Sequence, residues 1–428
     1  MSTGEDMLRF IAEAYPLCRS ITGDGVRRTL AMIRERIPLE VHEVPSGTPV
    51  FDWTVPKEWN IRDAWIKDPS GNKVIDFQAC NLHVLNYSVP IHERLPLEEL
   101  KKHLFTLPDK PDLIPYRTSY YKEAWGFCLS HNQLQALPEG EYEILIDSSL
   151  ADGSLTYGES FLPGESEREV LFSTHICHPS LCNDNLSGIA VMTWLAAELR
   201  ERPRRRYSYR FLFIPGTIGS ITWLARNEEG TKRIAHGLVA ANLGDPGKFH
   251  YKRSRRGNAE IDRAVQVVLR ASGEEFGLEP FVPFGYDERQ YGSPGFNLPV
   301  GSLTRTPWGR YPQYHTSADN LDFVRPEALE GSLRTYLAVM DVLEGNRRYL
   351  NLNPKCEPQL GRRGLYRTIG GDDSGRSREL ALLWVLNLSD GENDLLDIAE
   401  WSGMSFEAIR AAADALLEVG LLREAGKA

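Results

Sequence analysis

The spacing of apolar and polar positions changes between Arg168 and Leu199. Residues 170–173 (Val-Leu-Phe-Ser) follow a charged turn, and such a short apolar run predicts a buried strand. After Gly188, apolar residues recur at the spacing of one helix face, at Ile189, Met192, Leu195, Ala196 and Leu199. This stretch is therefore predicted to be a strand followed directly by a helix.

The same alternation continues to about residue 343. Further apolar runs predict strands at 209–214, 237–243 and 298–303, and helical spacing predicts helices through 223–224, 261–273 and 326–343. Strands that alternate with helices are typical of a mostly parallel sheet covered by helices on its faces. The predicted fold class is α/β.

Residues 41–155 have a different pattern. Short apolar runs alternate with turn signals such as Asp-Pro-Ser-Gly at 68–71 and Pro-Glu-Gly-Glu at 138–141. We expect a β-rich domain here, inserted into an α/β domain formed by residues 1–40 and 156–350.

The C-terminal part changes pattern again. Residues 351–375 are rich in Pro, Gly and Arg and are predicted to be a linker. Residues 376–428 contain three segments with helical spacing, at 378–388, 394–401 and 405–419, with Ser405 as an expected N-cap and Gly420 as an expected stop. Short helices separated by tight turns predict a winged-helix-like module.

Charge limits the partners of this protein. The 428 residues, 42% hydrophobic and 25% charged, are typical of a soluble globular chain with more than one core. The net charge is −10 overall and, with five Lys or Arg against ten Asp or Glu, −5 in residues 376–428. Nucleic acid is therefore disfavoured as a partner. Homo-oligomerisation through the C-terminal module is the alternative role for its apolar face.

The cysteines predict a reducing compartment, and the lengths of the apolar stretches predict that the chain does not span a membrane. The six cysteines, at 18, 80, 128, 177, 182 and 356, include no Cys-x-x-Cys pair, so neither a thiolate zinc knuckle nor a disulfide framework is indicated. The N-terminus lacks the pattern of a signal peptide, and no apolar stretch approaches the 18 residues of a membrane span. A cytoplasmic location without membrane association is expected.

Side chains that bind metals follow the predicted strands. His175 or His178, Asp184, Asp245 and His315 each lie just after a strand or in a loop beside one. The carboxyl ends of parallel strands meet at one sheet edge, where ligands bind in open α/β folds. Imidazole and carboxylate are zinc ligands, so the pattern predicts one or two zinc ions at this edge.

Several of these motifs resemble those of a known group of enzymes. The segments HICHPSLCNDNLSGIAVM (175–192), GD (244–245), DERQYGSPGFNLPVGSL (287–303) and QYHTSADNLDFV (313–324) are similar to motifs of the di-zinc exopeptidases, which include leucyl aminopeptidases and glutamate carboxypeptidases. More closely, nearly the whole chain resembles a bacterial aminopeptidase-like family, often encoded beside polysaccharide biosynthesis genes. That family has the same β-rich insert and C-terminal winged-helix module.

The resemblance implies metal roles for individual residues. Asp184 would bridge two metals, Asp245 would hold one of them, and His315 the other. The first histidine stays open: His175 fits by its distance from the strand, with Cys177 replacing the usual Asp of the motif. His178 is favoured because Pro179 fixes the loop behind it.

The chain departs from the exopeptidase pattern at Gly216-Thr217, where those enzymes carry a Glu-Glu pair. The first Glu of that pair is the general base and the second a metal ligand. By motif, Glu288 is the nearest replacement base and Asp287 the next. We also expect Gly216→Glu to return a carboxylate to this strand end and to raise activity or metal occupancy.

Substrate-binding candidates flank these motifs. Arg289 and Tyr291 lie in the segment that resembles the substrate pocket of the exopeptidases, and Arg255 lies in a local basic cluster that could form a fork for a carboxylate or phosphate.

Two functions follow. The first is a zinc-dependent hydrolase of aminopeptidase type that acts on a peptide or amide bond of a small substrate. The second is a catalytically altered or non-peptidase descendant that binds a small amino-acid-like or sugar-linked ligand, because the Glu pair is absent.

Overall fold

A computed structural model of the chain describes residues 2–366 and 373–426, with the backbone alone at 373–376. Its α-helices are, in chain order, α1 (Thr3–Ala14), α2 (Asp24–Arg34), α3 (Leu97–Leu100), α4 (His131–Gln135), α5 (Gly188–Glu201), α6 (Ile218–Arg226), α7 (Glu260–Ala271), α8 (Glu288–Tyr291), α9 (Pro326–Gly345), α10 (Asp373–Leu388), α11 (Leu395–Ser402) and α12 (Phe406–Glu418). A wide helical turn, Cys182–Ser187, precedes α5, and short 3₁₀ turns cover Asn81–His83, Lys101–His103, Gly230–Arg233 and Gly361–Arg363.

The strands are β1 (Glu40–Pro45), β2 (Pro49–Val50), β3 (Trp53–Thr54), β4 (Glu58–Lys67), β5 (Lys73–Asp76), β6 (Ile91–Pro96), β7 (Leu104–Phe105), β8 (Phe127–Cys128), β9 (Glu141–Ala151), β10 (Ser154–Leu162), β11 (Glu169–His175), β12 (Ser208–Ile214), β13 (Ile234–Ala240), β14 (Phe249–Lys252), β15 (Phe276–Glu279), β16 (Val300–Thr304), β17 (Arg348–Asn351), β18 (Asp390–Asp394) and β19 (Leu422–Glu424).

Eight strands form the main sheet, in the order β1-β10-β12-β11-β13-β16-β14-β15. Its four central strands, β12, β11, β13 and β16, are parallel, which confirms the predicted α/β class. Every residue of β11 is buried, as expected for a strand with neighbours on both sides and cover on both faces. The carboxyl end of β11 therefore lies in the middle of the sheet edge, where side chains from several strands can converge.

The β-rich region contains a four-stranded antiparallel sheet, in the order β5-β4-β9-β6. Its core is made of the buried side chains Trp59, Ile66, Tyr142, Ile144 and Ile146. The strands that flank the β-rich region in the chain are β1 and β10. They pair with each other and belong to the main sheet. The insert thus leaves from and returns to adjacent strands of the main sheet.

The chain divides into two units, one comprising residues up to 259 with 275–334, and the other 260–274 with residues from 335 onward. The second unit contains a three-stranded antiparallel sheet, β18-β17-β19, together with α10, α11 and α12. Ser405 accepts a hydrogen bond from the Ala408 N–H and so caps α12, as predicted. The exposed side of α12 carries three acidic residues, Glu407, Asp414 and Glu418, against the basic Arg410, so its net charge is negative and repels a phosphate backbone.

The start of this winged-helix sheet differs from the sequence prediction. β17 covers Arg348–Asn351, before the predicted linker, and pairs with β18 and β19. Four residues after a long helix are too few for a periodic pattern, so this strand has no signal in the local sequence. Within the predicted linker, residues 367–372 lie outside the described residues. Among the helices that are described, none is long and apolar enough to cross a membrane.

Candidate metal centre

The centre is built around the end of β11. His175 is the last residue of this strand, and both His175 and the following His178 are buried. The wide turn that precedes α5 brings Asp184 back to the strand end. The turn is tied down because Asn185 Nδ2 donates to Thr174 Oγ1 at 2.8 Å and to the His175 carbonyl at 3.0 Å.

Three imidazoles surround the Asp184 carboxylate. Oδ1 lies 2.8 Å from His175 Nε2, and Oδ2 lies 3.0 Å from His315 Nε2 and 3.9 Å from His178 Nε2. One ligand atom from each of His175, His178 and Asp184 lies within 4.8 Å of the others. The structure thus brings together both histidines that the sequence left as alternatives, with Asp184 and His315.

The protonation states of this group suit a metal. Burial lowers the pKa of His178 well below its usual value, so this imidazole is neutral at pH 7. Burial opposes ionisation of Asp184, but the imidazoles of His178, His175 and His315 outweigh it and hold the pKa of this carboxyl well below its usual range. Neutral imidazole and ionised carboxylate are the forms that bind zinc, so the residues present fit a zinc ion.

Asp245, the other predicted ligand, is engaged elsewhere. Its carboxylate accepts hydrogen bonds from Asn183 Nδ2 at 3.1 Å, the Gly247 N–H at 2.8 Å, the Thr306 N–H at 3.2 Å and Thr306 Oγ1 at 2.5 Å. These four donors occupy both of its oxygens. Within the described residues, Asp245 therefore forms no hydrogen bond with the imidazoles. Its hydrogen bond from Asn183 links it to the turn that carries Asp184.

Two residues behind the centre were not predicted. Asp319 accepts the N–H groups of Asn183 at 2.6 Å and Asp184 at 3.0 Å, and burial raises its pKa to about 8. Arg19, buried near the start of the chain, donates from Nε to the His178 carbonyl and from Nη1 to the Ala14 carbonyl, both at 2.8 Å. Asp319 holds the turn that carries Asp184, and Arg19 holds the loop that carries His178.

Glu288 and Asp287, the predicted catalytic residues, form their hydrogen bonds and ion pair with residues outside the His–Asp cluster. Glu288 is fully buried, forms an ion pair with Lys252 and accepts the Tyr286 N–H at 3.1 Å. Asp287 accepts from Ser220 Oγ at 2.8 Å, while its Oδ2 is buried without a partner among the described residues. Burial raises the pKa of Asp287 to about 7.

Among the residues that the structure describes, none of the three predicted substrate-binding residues forms a hydrogen bond or ion pair with the imidazoles or with Asp184. Tyr291 belongs to the hydrophobic core, where its hydroxyl donates to Ser173 Oγ at 2.9 Å. Arg255 is exposed and donates to Asn297 Oδ1 at 3.0 Å. Arg289 is half-buried, with an Nε that has no partner in the described part of the chain. The motif that suggested Tyr291 predicts a core position equally well, because an aromatic residue before a buried strand is usually part of the core.

A tyrosine occupies the space of the missing glutamate. A Cβ at Gly216 would lie 1.9 Å from a ring carbon of Tyr286. The Tyr286 hydroxyl lies 3.3 Å from both Cys177 Sγ and the Gly216 carbonyl oxygen, and its ring centroid lies 4.2 Å from that of His175. The expected gain from Gly216→Glu therefore fails on steric grounds, since any side chain at 216 must first displace Tyr286.

Gly216→Ala should destabilise the protein because its Cβ overlaps the Tyr286 ring. Overpacking of this kind costs about 1–3 kcal/mol, and we expect the melting temperature to fall by about 2 °C or more. In a Tyr286→Ala background the same change should cost much less. Thermal melts of the two single variants and the double variant measure this coupling, and equal losses in both backgrounds would show that Tyr286 does not fill this space.

The β-rich insert also reaches the centre. Pro115 and Thr316 form an isolated β-bridge, and the Tyr116 N–H donates to the His315 carbonyl at 2.8 Å. The Tyr116 ring lies 5.0 Å from the rings of both His178 and His315. His315 has a φ of 53°, uncommon for a residue other than glycine, so its backbone conformation depends on such contacts. The insert thus holds the His315 loop from outside the α/β core.

Comparisons with known proteins agree with this architecture. A family model described as "Domain of unknown function (DUF4910)" matches residues 8–346, and one described as "winged helix-turn-helix" matches residues 347–424. The predicted C-terminal winged-helix module is thereby confirmed.

A curated relative from Clostridium acetobutylicum, whose name describes a polysaccharide biosynthesis protein with an aminopeptidase-like domain, is 57% identical over 98% of this chain and 96% of its own. A crystal structure from the same organism is 56% identical, with a TM-score of 0.94 over 99% of this chain and 96% of its own. A zinc aminopeptidase from Bacillus subtilis has a TM-score of 0.57 at 13% identity, covering 78% of this chain and 93% of its own. The last likeness shows a shared fold, and the resemblance to an aminopeptidase-like family is confirmed.

Proposed function

The chain belongs to the family described as domain of unknown function DUF4910, and we propose that it is a metal-dependent hydrolase acting on an amide bond of a small substrate. The observation that carries the proposal is the convergence of His175, His178 and His315 on the Asp184 carboxylate. Imidazoles and a carboxylate are common ligands of catalytic zinc, and the carboxyl ends of parallel strands are a common place for such a site. The aminopeptidase-like fold of the family supports the same chemistry.

One ion per chain is the stoichiometry we propose. Asp184, His178 and His315 would hold it, with His175 on the other oxygen of Asp184 as a fourth ligand or as a hydrogen-bond donor. Asp245 is satisfied by four hydrogen bonds, and the Glu pair is absent, so a second ion lacks ligands. A bound zinc ion polarises a carbonyl oxygen and lowers the pKa of its water.

The chain's own residues would position the imidazoles and accept the proton. Tyr286 packs against His175, and Tyr314 stacks on His315 with ring centroids 3.9 Å apart, so both rings help to fix the orientation of the imidazoles. For the proton acceptor we favour Asp287 over Glu288, since Asp287 Oδ2 has no hydrogen-bond partner among the described residues and burial raises the pKa of this carboxyl to about 7, whereas Glu288 is paired with Lys252. Asp287→Asn should then slow turnover at unchanged zinc content, and Glu288→Gln should not.

Tyr286 also favours a second candidate function. Because its ring occupies the position of the usual base, the centre could bind a small ligand without hydrolysing it. An ion would then serve to hold the ligand. The hydrolase would turn over an amide substrate and the binding protein would not, whereas both would bind a metal ion.

The two candidate functions are distinguished by an assay of amide hydrolysis, carried out after the metal is removed and again after zinc is added back. We expect the purified full chain, stripped with a chelator, to release no amine from N-acyl amines or aminoacyl amides, and zinc at one equivalent to restore release. The Asp184→Asn variant should stay inactive when zinc is added. A zinc-loaded wild type that hydrolyses no amide in either class would contradict the hydrolase and support the binding protein.

A further inference from the structure

A cavity of about 370 Å³ opens beside the metal centre, a size at the lower end of small-molecule pockets. Two of its walls, Tyr286 and Tyr314, are the rings that pack against His175 and His315. The cavity and the imidazoles therefore share these two rings. We call it the aromatic cavity, lined among others by Lys252, Tyr286, Ser302, Trp308, Arg310 and Tyr314.

The charges of the aromatic cavity cancel. Lys252 is paired with the buried Glu288, and it also donates to the Phe284 carbonyl at 2.7 Å. Arg310 is paired with Glu279, which lines the same space. An anion would find each cation already neutralised, and a cation would find each carboxylate already neutralised. The cavity is therefore suited to a ligand without net charge at this end.

Its polar groups argue against a purely apolar ligand. The hydroxyl of Ser302, a residue only 2% exposed, has no hydrogen-bond partner among the described residues, and neither does Trp308 Nε1. An apolar group such as a leucine side chain would leave both groups unpaired, at a cost in binding. The ligand must offer at least one acceptor for the Trp308 N–H and a hydroxyl or acceptor for Ser302.

Its aromatic walls argue for a ring. Tyr286 and Trp308 stack with centroids 6.1 Å apart and an interplanar angle of 23°, and both line the cavity. Tyr314 and the exposed Phe284 add further aromatic surface. Flat aromatic faces bind the flat C–H face of a ligand ring through dispersion and desolvation.

We propose that the aromatic cavity binds the ring of an N-acylated amino sugar, which brings the N-acyl amide to the His–Asp centre. A pyranose combines an apolar C–H face with a rim of hydroxyls and carries no net charge, as the cavity requires. As a statement about the substrate, this rests on the proposed hydrolase. Hydrolysis of the amide would consume one water, break the C–N bond, and yield the amino sugar and a carboxylic acid.

Binding to the metal-free protein tests the cavity separately from the chemistry. The probes are N-acetyl-D-glucosamine, L-leucinamide and adenosine, each titrated into the full chain after removal of metal and followed by saturation-transfer NMR. We expect N-acetyl-D-glucosamine to bind with a Kd below about 10 mM and more tightly than the other two. Trp308→Leu should weaken it about 10-fold or more, and Ser302→Ala about 3- to 10-fold.

Trp401→Leu is the matched control, because Trp401 is exposed in the second unit and does not line the cavity. It should leave the Kd unchanged, and circular dichroism verifies that all three variants fold. Tighter binding of leucinamide or of adenosine, no sugar binding at 10 mM, or a sugar affinity that neither cavity variant changes would each overturn the proposal. If the sugar binds as expected but is not hydrolysed with zinc, the cavity assignment stands and the placement of its amide at the His–Asp centre fails.

Discussion

Asp184→Asn is expected to abolish stoichiometric zinc binding. The Asp184 carboxylate contacts His175, His178 and His315 together, and it supplies the negative charge of the centre. Loss of residues that merely orient ligands costs about 10–100-fold in metal affinity, so removal of the central ligand should cost more than about 100-fold. Competition with a chromophoric chelator measures the zinc Kd of the purified variant.

Asp245→Asn is the matched control, because it makes the same substitution in the neighbouring buried carboxylate. Asp245 accepts its hydrogen bonds from Asn183, Gly247 and Thr306 and touches none of the three imidazoles. We expect this variant to keep its zinc. Equal zinc loss in the two variants would contradict the one-ion centre and favour the two-ion arrangement implied by the family resemblance.

Tyr116→Ala should weaken zinc binding by about 10–100-fold. Tyr116 lies in the insert, yet its backbone N–H donates to the His315 carbonyl and its ring packs against both His178 and His315. Without the ring, both imidazoles gain rotational freedom, which must be lost again when the ion binds. The zinc Kd, measured by the same competition, reports this loss independently of any catalytic assay.

Two controls separate positioning from general destabilisation. Tyr116→Phe keeps the ring and loses only the 2.8 Å contact with the Tyr120 hydroxyl, so its zinc Kd should stay near that of the wild type. Tyr142→Ala removes another buried ring from the insert, one in the hydrophobic core, and should lower the melting temperature without weakening zinc binding. A similar zinc loss in Tyr142→Ala would contradict a local role for Tyr116.

Long periodic segments made the main sheet predictable. The run before His175 and the helical spacing after Gly188 correspond to β11 and α5, and the residues on the predicted helix face are buried. Patterns of this length report burial directly. β17 could not be found in this way, because its partners β18 and β19 follow about forty residues or more later in the chain and only the tertiary structure brings them together.

The ligand residues were predictable because they lie within short motifs at strand ends. The residues that hold them were not. Arg19 and Tyr116 precede His175 by many residues in the sequence and lie in regions with no catalytic motif. A buried arginine without a carboxylate partner is recognisable only in three dimensions. Asp319 did have a signal, since it lies four residues after His315 in the same motif.

The prediction of Glu288 as base failed to anticipate a charge partner. Lys252 comes from β14 and neutralises Glu288 inside the protein, a pairing that no local pattern reveals. The same limit applies to Gly216, whose missing side chain suggested an empty position. Tyr286, seventy residues later, fills that position. A local motif does not show the side chains that pack against it, because these come from distant parts of the chain.

The number of zinc ions per folded chain tests the central claim most directly. Native mass spectrometry of the full-length protein, reconstituted with excess zinc and desalted, counts bound ions without reference to a substrate. One ion in the wild type and in Asp245→Asn, with none in Asp184→Asn, is the result that the geometry of His175, His178, Asp184 and His315 predicts. A wild type that retains no zinc, or that retains two ions of which one is lost in Asp245→Asn, would contradict it.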